Sequence, residues 1–201
     1  MIYDYADKVI RDMNKRNLRL FGKLKLLRLD ELNIMQTVNR TYDSSAEMAK
    51  QRFRWIYEEA YEAAYLLAAG KEKEADEDLV NDWLLDMLED YDAVTHYRFN
   101  EEAERKKART AEALIATGVA SREVDKALRF WTLQVSQYAD RSVYDGRYQA
   151  FVDAGVKRVV WQTEEDARVC AECAELDGEI FNIGEVPDKP HFRCRCWLIP
   201  A

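Results

Sequence analysis

Proline is missing from the first 186 residues, cysteine from the first 169, and glycine occurs only seven times in a chain of 201. With so few helix breakers, long helices are favoured over strands and turns. No apolar run is long enough to cross a bilayer, and no leader-like stretch opens the chain. A protein without membrane contact, in the reducing cytoplasm, is therefore expected. Several enzyme signatures are also missing: a Walker-type glycine loop, a Gly-x-Ser-x-Gly elbow and His-Glu-x-x-His. A zinc deaminase would need His-x-Glu ahead of its Pro-Cys-x-x-Cys, and neither that glutamate nor that order occurs.

What is present reads as mostly helix. Hydrophobic residues make up 48% and charged residues 34%, a balance that suits a soluble globular protein with a bias to long helices. Formal net charge is −8, yet Lys8, Arg11, Lys15, Arg16, Arg19, Lys23, Lys25 and Arg28 make the first segment basic. Val9, Met13, Leu20, Leu24 and Leu27 interleave with them, the pattern of an amphipathic helix. Such a face suits DNA phosphates, a membrane surface or an acidic groove, and its plainer reading is a solvated surface. The overall acidity argues against a DNA-binding domain as the whole molecule.

Phe53, Ile56, Tyr57, Ala60, Tyr61, Ala64 and Leu67 recur at helical spacing between Ser45 and Ala69, and read as a core stripe rather than a tyrosine-rich interface. Gly70 ends that helix. The charged residues 71–78 form a linker or the polar start of the next helix, which carries Leu79, Trp83, Leu84, Met87 and Leu88. The carboxylates at 76–92 lack the glycine-centred loop of a calcium site and read as a solvated face. His96 lies in a short aromatic stretch without a second ligand nearby, so a structural histidine is expected. A helix from Glu101 to Thr117 ends at Gly118. Ser121 then caps a long helix bearing Val124, Leu128, Trp131, Val135 and Tyr138, which runs close to Gly155.

All four cysteines and one histidine fall in the last third of a hundred residues: Cys170 and Cys173 as Cys-x-x-Cys, His191, then Cys194 and Cys196 as Cys-x-Cys. Four soft or borderline ligands are what structural zinc takes, and His191-x-x-Cys194 can stand for a second Cys-x-x-Cys, leaving one thiol spare. Two disulfides, or four reduced buried thiols, are the competing readings. A nucleophilic Cys170 with His191 as its base is the enzymatic alternative, and it is disfavoured because the thiol shares its neighbourhood with three others. Around the cluster, Arg158 to Trp161 reads as a strand entered through Gly155. Thr163 to Asp166 reads as a helix start, and Asp177-Gly178 as a turn before a strand at Glu179 to Phe181. Pro187 and Pro190 hold an extended loop. Cys194 to Ile199 reads as a last strand, with Cys194, Cys196 and Leu198 on one face and Arg193, Arg195 and Trp197 on the other.

These residues resemble a known family. Trp161, Thr163, Asp166, Arg168, Cys170, Cys173, Leu176, Asp177 and Gly178, then Pro190, His191, Cys194, Arg195, Cys196, Leu198 and Pro200, are similar in order and spacing to the phage head morphogenesis proteins related to the F protein of phage Mu. A weaker similarity covers the helical region from Asp92 to Ile115. The resemblance implies a non-enzymatic minor head protein of a tailed phage or prophage. Such a protein would join portal, capsid and scaffold proteins in the host cytoplasm during assembly. It would end inside the virion head near packaged phage DNA.

The expected fold is mainly α: a helical region over 1–155, divisible near 70–78, and a small C-terminal α+β module over 156–201 with a short sheet and the Cys/His cluster. A structural zinc would replace the core that so short a tail cannot build. The binding-module alternative is a zinc-dependent nucleic-acid domain using Arg193, Arg195 and Trp197 beside the first basic helix.

Overall fold

Helices form where the sequence leaves them unbroken. The computed structural model describes residues 3–25, 30–92, 96–164 and 169–201. It contains α1 (Asp4–Gly22), α2 (Glu31–Ala69), α3 (Glu77–Glu89), α4 (Phe99–Thr117), α5 (Ser121–Asp153) and the short α6 (Ala171–Leu176). A two-residue hairpin, β1 (Tyr91–Asp92) with β2 (Tyr97–Arg98), separates α3 from α4. The tail carries β3 (Arg158–Gln162), β4 (Ile180–Asn182) and β5 (Trp197–Pro200). The chain is therefore mainly α with a small C-terminal α+β region, as its sequence implies.

The helix ends follow the glycines. Gly70, Gly118 and Gly155 all have positive φ, where the absent Cβ removes the usual steric cost. At Gly155 the chain makes a doubly bonded helix stop: Gly155 N–H donates to Val152 O, and Val156 N–H to Phe151 O, both at 3.0 Å. Asp76 caps α3, its Oδ1 accepting from the N–H groups of Asp78 and Leu79 at 3.0 and 3.1 Å. Ser121 is not a cap. Val124 N–H donates to Ala120 O at 2.8 Å, so Ala120 holds the cap position and Ser121 begins the first turn.

The chain divides into two units that each draw on separated segments. One comprises 7–52 and 84–136. Its core is aromatic: Phe21 meets the Tyr42 ring at 4.9 Å, and Trp131 packs against Phe99 at 5.4 Å. The Tyr42 hydroxyl is paired with Thr110 Oγ1 at 2.8 Å, so its burial leaves no orphan. In α1, Val9, Ile10, Met13 and Phe21 are buried, with Leu24 just past its end, while the helix's basic residues face outward, the expected amphipathic division. Leu27 and Arg28 lie outside the described residues.

The other unit comprises 1–6, 53–83 and 137–201. Here β3 is the middle strand of an antiparallel sheet ordered β4-β3-β5, with Val160 opposite Ile180 and Trp161 opposite Leu198. The sheet's buried side shares one core with Tyr57, Tyr61, Ala64 and Tyr65 of α2, Val80 of α3 and Phe151 of α5. The expected α2 stripe is buried except for Leu67, which is 58% exposed; Tyr65 takes its place inward.

Gly146 sets how closely α5 approaches α2 in this unit. A Cβ there would lie 2.5 Å from Tyr57 O and 3.3 Å from Ala60 Cβ, atoms that cannot swing aside. Overpacking of this kind costs about 1–3 kcal/mol. Gly146→Ala is therefore expected to lower the urea midpoint with an unchanged slope, although alanine is the better helix former by about 1 kcal/mol. A rise in the midpoint would contradict the close approach.

Candidate metal centre

Three local structures bring the thiols together. The first is the start of α6. Cys170 is its cap residue, and Cys170 Sγ accepts the Cys173 N–H at 3.3 Å. This fixes the Cys-x-x-Cys turn with both sulfurs on one side. The helix start expected over Thr163 to Asp166 falls partly outside the described residues. Thr163 and Glu164 lie outside any helix, and Thr163 N–H donates to Asp177 Oδ1 at 2.8 Å, tying β3 to the end of α6. Asp166 and Arg168 lie outside the described residues.

The second is the turn at Gly178. Gly178 N–H donates to Trp161 O at 2.8 Å and Trp161 N–H to Glu179 O at 2.9 Å, which returns the chain beside β3.

The third is the loop from Pro187 to Cys196. The last strand is shorter than its alternation suggests, beginning at Trp197 rather than Cys194, because Arg193 adopts φ 54° and turns the chain. The inward and outward alternation survives: Cys194, Cys196 and Leu198 are buried, while Arg193, Arg195 and Trp197 are not. Arg193 is engaged within the unit. Its N–H donates to Gln137 Oε1 at 3.2 Å, and its guanidinium lies 3.5 Å from the Asp140 carboxylate.

Cys173 stands at the middle of the cluster. Its Sγ is 3.1 Å from His191 Nε2 and 3.6 Å from Cys194 Sγ. The donor atoms form two overlapping groups, Cys170–Cys173–His191 and Cys173–Cys194–Cys196, with every separation inside a group at or below 4.8 Å. All four cysteines are free thiols in this structure. His191 Nδ1 is 2.9 Å from Phe192 O. A carbonyl only accepts, so Nδ1 carries the proton and Nε2 presents its lone pair to the sulfurs.

The electrostatics set the thiols apart. The hydrogen bond from Cys196, helped by the ammonium of Lys189, holds Cys194 down to about 5. Burial, reinforced by the neighbouring Cys194 charge, pushes Cys173 up to about 12. Donation to Cys194, together with burial, drives Cys196 upward as well.

A metal fits this set. Zinc–sulfur bonds of about 2.3 Å place the sulfurs of a tetrahedral site about 3.8 Å apart, close to the observed Cys173–Cys194 separation. All five sequence-derived residues are brought together, one more than a tetrahedron takes. Two residues near them were not among the sequence candidates. Tyr3 Oη donates to Cys196 O at 2.8 Å, and Lys189 Nζ donates to Cys194 O at 2.6 Å. No spacing rule links Tyr3 to the tail, and Lys189 was hidden in the proline loop.

Fold and cluster together define a class: a helical protein with a small C-terminal sheet closed by a Cys/His group able to hold a metal ion. Residues 93–199 match the family model described as Phage Mu protein F like protein, and the chain belongs to that family. It is a phage head-related protein. No curated protein and no solved structure matches the chain. Among the described residues no helix is long and apolar enough to cross a membrane.

Proposed function

We propose that this chain is a non-enzymatic minor head protein of a tailed phage or prophage. It enters the procapsid with the portal, capsid and scaffold proteins in the host cytoplasm and stays inside the finished head. The observation that carries this reading is the family match over 93–199, which takes in the whole Cys/His cluster. The cluster serves as a structural zinc site drawn from Cys170, Cys173, His191, Cys194 and Cys196, fixing the tail's loops onto the core they share with the helices. Quantitative mass spectrometry of heads purified after induction of the encoding phage tests the assignment. The chain is expected in portal-containing heads at a fixed ratio to the portal protein; its absence from heads and procapsids alike would overturn it.

Contact with packaged DNA is the second part of the reading, supported by α1. Lys8, Arg11, Lys15 and Arg19 recur every three or four residues on its exposed face, and Lys23 follows, also exposed, just past its end. Among the described residues none of the five has an ion-pair partner, whereas Arg16 is paired with Asp12 at 3.0 Å. An unneutralised cation stripe in an acidic protein suits a polyanion. Each phosphate contact contributes about −0.9 to the slope of log K against log salt. Changing Arg11, Lys15 and Arg19 to glutamate should therefore flatten the slope by about 3 for duplex DNA. An unchanged slope would remove α1 from the contact.

A further inference from the structure

Lys189 is a half-buried cation with no carboxylate at ion-pair distance among the described residues. Its Nζ donates to Tyr3 Oη at 2.7 Å and to Cys194 O at 2.6 Å, and lies 4.9 and 5.0 Å from the ring centroids of Tyr3 and Tyr144. Every one of these partners is neutral. Among the described residues no carboxylate comes within ion-pair distance of Lys189, although Lys73 and Lys25 each find one. An ammonium withdrawn from water and left on carbonyl, hydroxyl and ring faces is costly unless a negative charge lies close by. The largest negative influence on it comes from Cys194 of the thiol cluster, whose carbonyl it already touches, ahead of the more distant carboxylates of Asp140 and Asp145.

The required charge follows from coordination chemistry. Zinc bound by three thiolates and one imidazole carries one net negative charge, and with four thiolates it carries two. We propose that Lys189 is the counter-cation of this metal–thiolate centre, and that Tyr3 ties the centre to the first residues of the chain. The inference rests on the metal reading above and adds a consequence to it. Tyr3 is 2% exposed, and its hydroxyl takes the Lys189 proton donor on one side and gives its own hydrogen to Cys196 O at 2.8 Å on the other. The segment that begins α1 is thus bonded to the backbone of the ligand loop. Metal loading and docking of residues 3–6 become a single linked equilibrium, in which each strengthens the other. Lys189 and Tyr3 act as positioning residues; neither offers a donor atom to the metal.

The test uses the full chain with wild-type sequence, Lys189→Met, Lys189→Arg and Tyr3→Phe. Zinc affinity is measured by competition with a chromophoric chelator, and amide exchange of residues 3–6 is followed with and without zinc. Residues that support metal ligands typically change affinity by about 10–100-fold when replaced. Lys189→Met is expected to weaken zinc within that range, Lys189→Arg to recover most of the loss, and zinc to slow exchange at residues 3–6. In Tyr3→Phe zinc should no longer slow that exchange, and this variant keeps the test open if Lys189→Met does not fold. A wild-type chain that takes up no zinc defeats the metal reading itself. A zinc-binding wild type with equal affinity in Lys189→Met, or a loss that arginine does not recover, defeats the counter-cation. Exchange at residues 3–6 that ignores zinc defeats the coupling.

Discussion

Replacing Cys173 by alanine is expected to abolish zinc binding and unfold the C-terminal module. Cys173 is the one residue common to both donor groups, so no choice of four ligands spares it without separating the cluster. It is also 1% exposed. Structural zinc contributes on the order of 10 kcal/mol to folding in small metal modules. That is comparable with the whole stability of an ordinary domain, about 5–15 kcal/mol. The Cys173→Ala chain should therefore lose its metal, the near-ultraviolet signal of Trp161 and the protection of β3 amides together. Cys170→Ala is expected to do less, because Cys170 is only half-buried at the edge of the cluster. A Cys173→Ala protein with full metal content and native spectra would contradict the assignment.

Trp161→Ala is expected to give the largest loss of any change that leaves the donors untouched. Trp161 is fully buried in the middle strand, its ring 6.2 Å from that of Tyr144, and it belongs to the same core as Cys173, Cys194, Cys196 and Leu198. Removing an indole from such a site costs about 3–5 kcal/mol, the transfer and cavity contributions together. Urea titration of the full chain should show the midpoint fall by the corresponding amount. Trp161→Phe should lose much less, since among the described residues the indole Nε1 has no hydrogen-bond partner to be missed. Equal effects of the two substitutions would show that the hydrogen-bonding edge of the ring matters, against this account.

Local chemistry made much of the fold legible in the sequence. Gly70, Gly118 and Gly155 stop helices because they alone take positive φ cheaply there, and a glycine at such a point is visible in a string of letters. The tail's turns were similarly readable from Asp177-Gly178 and the two prolines. The five candidate ligands could be gathered because their side-chain types share one chemistry.

What stayed hidden depends on distant partners or on small backbone departures. Tyr3 reaches Cys196 from the other end of the chain, and no periodicity announces such a meeting. The last strand looked longer than it is, because inward and outward alternation persists through residues 194–196 although Arg193 has left the extended region. Leu67 fits the helical stripe by spacing but faces out, and Tyr65 is drawn into the tail's core instead. Spacing names a face only to within the width of a side chain; the packing partner decides the rest.

The most direct measurement is the metal content of the full chain, purified without added metal, by native mass spectrometry beside a count of reactive thiols. One zinc per chain, with thiols that alkylate only after a chelator is added, is the result this account predicts. A metal-free chain whose four cysteines all react at once would contradict it, leaving membership of the phage head family without a metal centre in its C-terminal module.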